Sequence, residues 1–155
     1  MYHVLMVCTG NICRSPMAEA ILNAKLPPVL QPLIKVSSAG THAIEGNPAT
    51  PRAIEVMALS NIDLKSHRAR FLTLDILESN DLVIVMERAH QGIIQTLYPS
   101  QIGKVHHLHE FYKDKKRTDI PDPFGESIAF YQKTSALITQ CMDGVVLYLQ
   151  QQTQL

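Results

Sequence analysis

The sequence predicts an α/β protein, one domain over residues 1–155 with a parallel sheet flanked by helices on both faces, and three observations carry that prediction. Short β-rich runs alternate with helical patterns along the whole chain. The run at 81–86 (DLVIVM) is apolar without interruption after Asp81, as expected of a strand covered on both faces. Strands that alternate with helices are joined by right-handed crossovers, which lay the strands parallel and send helices to the two faces of the sheet.

The elements follow in order. Residues 3–7 (HVLMV) form a short apolar strand that stops at Cys8. From Pro16 the pattern turns helical, with proline at the first helical position and Met17, Ala18, Ala20, Ile21 and Leu22 behind it; this helix ends before Pro27-Pro28. A second strand fits 34–38 and closes at Gly40. Thr50-Pro51 reads as an N-cap with a first-turn proline, opening a helix through Ile54, Val56, Met57 and Leu59. Thr73 caps a short helix over 74–77, the run at 81–86 is the third strand, 89–97 is a helix, and 104–108 is the fourth strand. The last helix is the most regular. Ile128, Tyr131, Ser135, Ile138, Met142, Val145 and Leu149 step by three and four, so one stripe faces the core with Ser135 as its polar member. A glutamine-rich tail at 150–154 follows.

Composition narrows the function. With 155 residues, 46% hydrophobic and 18% charged, the chain can bury a core without a disulfide or metal staple. Fourteen Lys and Arg balance fourteen Asp and Glu, which speaks against nucleic acid or an acidic membrane surface as partner, because counterion release needs a basic face. No apolar run approaches the roughly 18 residues of a spanning helix. The N-terminal MYHVLMVC lacks the basic region and the apolar length of a signal peptide, and three cysteines, an odd number, do not read as a disulfide framework. The expectation is a cytoplasmic enzyme or binding domain.

Ligands of open parallel sheets bind outside the carboxyl ends of the strands. The first candidate is therefore the turn after Val7, which reads Cys8-Thr9-Gly10-Asn11-Ile12-Cys13-Arg14-Ser15-Pro16. Successive N–H groups in a tight loop converge into an anion-binding nest, and the helix that follows adds the positive end of its dipole. Gly10 and Asn11 are residue types that tolerate the left-handed conformation such a curl needs. A concave array of donors that cradles a dianion also favours a thiolate, so Cys8 becomes a candidate nucleophile toward phosphorus. Arg14 offers a two-pronged donor to non-bridging oxygens, and the Ser15 hydroxyl can donate to the sulfur. No Gly-Lys-Ser/Thr follows, so this is not a nucleotide-binding loop, and the chemistry requires no metal and no cofactor.

The string from Val7 to Pro16 resembles the signature V-C-x-G-N-x-C-R-S-P of the low-molecular-weight protein tyrosine phosphatases without a gap. The likeness continues in order through Ser38-Ala39-Gly40, Gly46-Asn47-Pro48, Ser66-His67-Arg68-Ala69-Arg70 and Asp122-Pro123-Phe124-Gly125. The resemblance implies a four-stranded sheet, a phosphotyrosine-containing protein as substrate and phosphate or another oxyanion in the loop contributed by Thr9, Gly10, Asn11, Ile12, Cys13 and Ser15. It places the general acid on Asp122, before the proline of an Asp-Pro-aromatic motif within 118–125, and leaves Asp119 as an exposed loop residue. General acids contribute typically ~10²–10⁴-fold. It also implies that Ser38 and His67 support the loop through a network with Asn11, and that Cys13 can pair reversibly with Cys8 under oxidation. Cys141 reads as inert packing. His106, His107, His109 and Glu110 form a histidine cluster in which His107 and His109 would share one face of a strand, yet no second pair stands at ligand spacing.

Related readings are separated by single features. Protein-arginine phosphatases resemble the chain closely but typically carry Thr where Ile12 stands, and Ile12 offers an apolar wall to a phenyl ring. Arsenate reductases share the Cys-x5-Arg loop, but need two relay cysteines in mid-chain, and none lies between Cys13 and Cys141. A non-catalytic phosphotyrosine-binding module would not need Cys8, Arg14 and Asp122 intact. By family position, residues 41–45 and Phe124 flank the aryl group. His42, Ala43 and Ile44 stand where many members have an aromatic side chain, which predicts a more open cleft with weaker stacking.

Overall fold

The computed structural model describes residues 1–113 and 119–153; Thr118, at the start of the expected acid loop, and Gln154 of the tail lie outside them. Four parallel strands, β1 (Tyr2–Cys8), β2 (Ile34–Gly40), β3 (Leu82–Val85) and β4 (Val105–His107), run in the order β2-β1-β3-β4. The helices are α1 (Arg14–Lys25), α2 (Pro51–Leu59), α3 (Leu74–Glu78), α4 (Arg88–Leu97) and α5 (Ile128–Gln152). β1 sits at the centre and shows the two-residue alternation of a strand. Val4, Met6 and Cys8 pack into the core built with α1 and α5, while Leu5 and Val7 face a smaller core with Leu77 of α3 and Ile94 of α4.

The chain leaves β1 toward β2 on one side and later returns to β3 on the other. The strand order therefore reverses at β1/β3, the point where sheets of this kind open a crevice. The loop after β1 and the start of α4 meet there.

Several elements start where a side chain satisfies the first free N–H groups: Thr50 accepts from Ala53, Thr73 from Ile76 and Ser127 from Phe130. α1 begins two residues earlier than expected, at Arg14. Pro16 occupies its third position, where its missing N–H costs nothing because the first intrahelical bond is Met17 N–H to Cys13 O. β4 stops at His107, and Leu108–Phe111 turns as a 3₁₀ helix, so His107 and His109 do not share a strand face. His107 instead pairs through Nε2 with Gln91, and His106 with Glu110; no three candidate metal ligands are grouped among the described residues. No helix of the described residues is long and apolar enough to cross a membrane. On α5, Tyr131, Ser135, Ile138, Met142, Val145 and Leu149 are buried, and Cys141 joins them, its thiol pushed up to about 12 by burial.

Candidate active site

Residues 8–15 curl over the carboxyl end of β1. Cys8 is buried, and its Sγ lies 2.9 Å from Ser15 Oγ and 3.2 Å from the Asn11 backbone N–H. Ser15 Oγ accepts from the Asn11 side-chain amide at 2.7 Å, which frees its own proton for the sulfur. Asn11 makes the left-handed turn, with φ of 55°, whereas Gly10 keeps a negative φ. The freedom expected of both residues is used by one, and Asn11 adds contacts that glycine could not make. Its side-chain oxygen accepts from Arg70 N–H at 2.9 Å, and its carbonyl accepts from His67 Nε2 at 2.6 Å. Burial holds His67 below the usual histidine range, against the opposing pull of that carbonyl.

The glycine that the loop cannot spare is Gly40. A Cβ there would stand 2.5 Å from Thr9 O and 2.9 Å from Asn11 N, so the end of β2 can lie against the loop only without a side chain. Ser38 reaches Asn11 by way of Arg70. Its carbonyl accepts from Arg70 Nε at 3.0 Å, and nearby Glu19 has its carboxyl raised mainly by burial and pulled back down by Arg70 and Ser38.

Arg14 is almost fully buried. Its Nη1 donates to Ile120 O at 2.9 Å and to Glu87 Oε1, and Nη2 lies 3.5 Å from Asp122 Oδ2. Glu87 thus fixes the guanidinium plane from the end of β3. Ile120 is held in turn by its N–H to Met86 O, so the loop that carries Asp122 is tied to the sheet. Asp119 is exposed as expected, but its carboxylate also accepts from Arg88 N–H at the start of α4. Asp122 is half-exposed and accepts from Phe124 N–H at 3.1 Å, and Gly125 takes φ of 79° to complete the turn.

Cys8, Thr9, Gly10, Ile12, Cys13, Arg14, Asp122 and Phe124 enclose a cavity of about 210 Å³. Phe124 is its aromatic wall. Ile44 is exposed and does not line it, and His42 turns its Nδ1 to Thr41 Oγ1. A larger cavity of about 480 Å³ beside Phe130 and Lys133 contains none of Cys8, Arg14 and Asp122. Cys13 is buried, and its Sγ lies 3.4 Å from Tyr131 OH and 3.6 Å from Thr50 Oγ1. Burial raises the Cys13 thiol, and these two hydroxyls oppose the shift. Tyr131 is itself pushed up to about 12, mainly by burial.

A buried thiol inside a ring of donors, with a fixed guanidinium and a half-exposed carboxylate across the cavity, is equipped to bind a tetrahedral oxyanion and attack its centre. Residues 3–155 match the model of the family described as low molecular weight phosphotyrosine protein phosphatase. The chain belongs to that family. The phosphatase is 40% identical over 143 residues to a probable low molecular weight protein-tyrosine-phosphatase, EpsP, of Ralstonia nicotianae, covering 92% of each chain. It is 39% identical to a protein-arginine-phosphatase of Bacillus subtilis, covering 84% of this chain and 85% of that one. The solved YwlE arginine phosphatase of Geobacillus stearothermophilus superposes with a TM-score of 0.88 at 33% identity, covering 99% of this chain and 96% of that one.

Sequence reasoning passed over Glu87 and His90 of the phosphatase. Glu87 stands 73 residues from Arg14, and His90 stands 81 from Thr9, so no local pattern could have joined them.

Proposed function

We propose that the phosphatase hydrolyses protein phosphotyrosine through a cysteinyl-phosphate intermediate. The carrying observation is the placement of Cys8, Arg14 and Asp122 around one cavity whose side walls, Ile12 and Phe124, are apolar. The Cys8 thiolate attacks phosphorus while the P–O bond to the tyrosyl group breaks. Asp122 gives its proton to the departing oxygen, and the loop amides with Arg14 hold the three non-bridging oxygens. The Asp122 carboxylate then takes a proton from water, whose oxygen attacks phosphorus as the P–S bond breaks. Phosphate leaves and the thiolate is restored. Ser15, oriented by Asn11, steadies the sulfur both as nucleophile and as leaving group; Ser38, through Arg70, and His67 keep Asn11 in place. Three cysteines, an odd number without a disulfide framework, suit a reducing cytoplasm, and Cys13 is the partner for Cys8 when peroxide is present.

A second reading, protein-arginine phosphatase, is favoured by the two arginine-phosphatase relatives. Ile12 separates the two, because an apolar wall suits a phenyl ring and gives a guanidinium no hydrogen-bond partner. A side-by-side assay on phosphotyrosine and phosphoarginine peptides tests this, with Ile12→Thr as the second enzyme. The expected result is preference for phosphotyrosine in the wild type and a shift toward phosphoarginine in the variant. A wild-type preference for phosphoarginine would overturn the tyrosine reading and leave the nucleophile in place.

A further inference from the structure

His90 belongs to none of the motifs named above, yet it is 1% exposed and uses both ring nitrogens at the edge of the site. Its Nδ1 accepts from Glu87 N–H at 3.0 Å. The neutral ring therefore carries its proton on Nε2, which lies 2.9 Å from Thr9 Oγ1 and donates to it. Burial and the neighbouring Arg14 guanidinium push His90 down to about 4, which keeps that tautomer neutral well below pH 7.

Only half of this arrangement serves the helix. An acceptor for Glu87 N–H supports the start of α4, the part that Glu or Gln plays at the third position of a capping box, and an Asn carbonyl would also supply one. The reach to Thr9 does nothing for α4. It fixes the residue that follows the nucleophile, an exposed side chain whose rotamer would otherwise be free. From the same turn, Glu87 holds Arg14 at the far end of the loop. The backbone donors between these points can converge on an oxyanion only while the loop keeps its curl.

We propose that His90 is a positioning residue for oxyanion binding: by donating Nε2–H to Thr9 it holds the first half of the phosphate loop in its binding curl, while Glu87 of the same helical turn holds the second half through Arg14. The inference rests on the phosphatase reading but can fail separately from it.

Two substitutions divide the roles of the ring. His90→Asn retains an acceptor near the place of Nδ1 for Glu87 N–H but cannot reach Thr9. His90→Gln has an amide that can donate near the place of Nε2 or accept near that of Nδ1, but not both at once. The probe is orthovanadate, with affinity read by inhibition and by direct calorimetry, alongside KM and kcat for para-nitrophenyl phosphate and the melting temperature of each variant. Positioning through Thr9 predicts that His90→Asn and Thr9→Val each weaken vanadate binding roughly tenfold, the loss of one part-buried hydrogen bond. The double variant should be no worse than either single one, and His90→Gln should bind vanadate about as the wild type does. A purely structural histidine predicts unchanged vanadate affinity in both His90→Asn and Thr9→Val, with only the melting temperature responding, and that result would overturn the proposal. Should the His90 variants not fold, Thr9→Val still decides, since unchanged vanadate affinity there would also overturn it. If the wild type turns over no aryl phosphate while the vanadate pattern holds, the phosphatase reading fails and the positioning role stands.

Discussion

In the phosphate loop, Cys8, Asn11, Arg14 and Ser15 are each at most 2% exposed, whereas across the cavity the Asp122 side chain is 48% exposed and Phe124 is 62% exposed. The first loop is braced from every side. The turn after β2 contributes Thr41 N–H and His42 N–H to the carbonyls of Cys8 and Thr9, the start of α4 contributes the N-cap Glu87 and His90, and the segment before α3 contributes His67 and Arg70. The second loop hangs from the sheet by Ile120 and from α4 by Asp119. The contrast suits the roles proposed for the two loops. Donors that stabilise a transition state work only if they need not rearrange, so they are locked in place. An acid that protonates a leaving group and then accepts a proton from water must meet both, so it stays open.

Substitutions on the two sides should therefore behave differently, and the largest effect is expected on the open side. Asp122→Asn should lower kcat about 10²–10⁴-fold on phenyl phosphates with poor leaving groups and far less on those with good ones. Its melting temperature should hardly move. A leaving-group series measured with both enzymes checks this, and equal losses across the series would move the acid elsewhere, to Asp119 first.

On the braced side, activity and stability should fall together. Asn11→Ala removes the bonds to Ser15 and from Arg70 N–H and puts a side chain without local partners at φ of 55°. It should cost about 2–4 kcal/mol in denaturant unfolding and weaken phosphate binding in the same variant. Asn11→Gly relieves the backbone strain alone and should recover about 1 kcal/mol of that loss. If Asn11→Ala unfolds like the wild type, the bracing carries no weight.

The smallest effect is a pH slope. His90 sits at about 4 in the folded protein and near the ordinary histidine value of about 6.5 when unfolded, so between those values the unfolded chain binds more protons. Acidification through that window should therefore remove stability, up to about 3 kcal/mol for this one group. His67 acts in the same direction, and Glu19, raised in the folded state, acts in the opposite one. Comparing wild type with His90→Gln isolates the histidine, and the variant should show the shallower fall between pH 6.5 and 4.5.

The contiguous parts of this arrangement are legible in the amino-acid sequence. Strand, loop and helix follow one another from His3 to Lys25, so residue types and spacing alone place a nucleophile, an anion nest and a guanidinium. The stripe on α5 is legible because burial repeats at helical spacing. What stays hidden depends on strand order. Glu87 and His90 reach the loop only because β3 lies beside β1, and Tyr131 reaches Cys13 across 118 positions. Residue type also states tolerance rather than use: Gly10 and Asn11 can both turn left-handed, and only the hydrogen bonds of Asn11 decide which one does. Ile44 matches a position at the rim but points to solvent outside the cavity, and Ser38 is linked to Asn11 only through Arg70.

The central claim is that Cys8 carries the phosphoryl group. Acid-quenched turnover of para-nitrophenyl phosphate, followed by peptide mapping, tests it directly, with Cys8→Ser run alongside. The account predicts a phosphoryl adduct on the peptide that contains Cys8 in the wild type, and no turnover from Cys8→Ser although that variant still binds phosphate. Sustained hydrolysis by Cys8→Ser, or an adduct on any other residue, would contradict it.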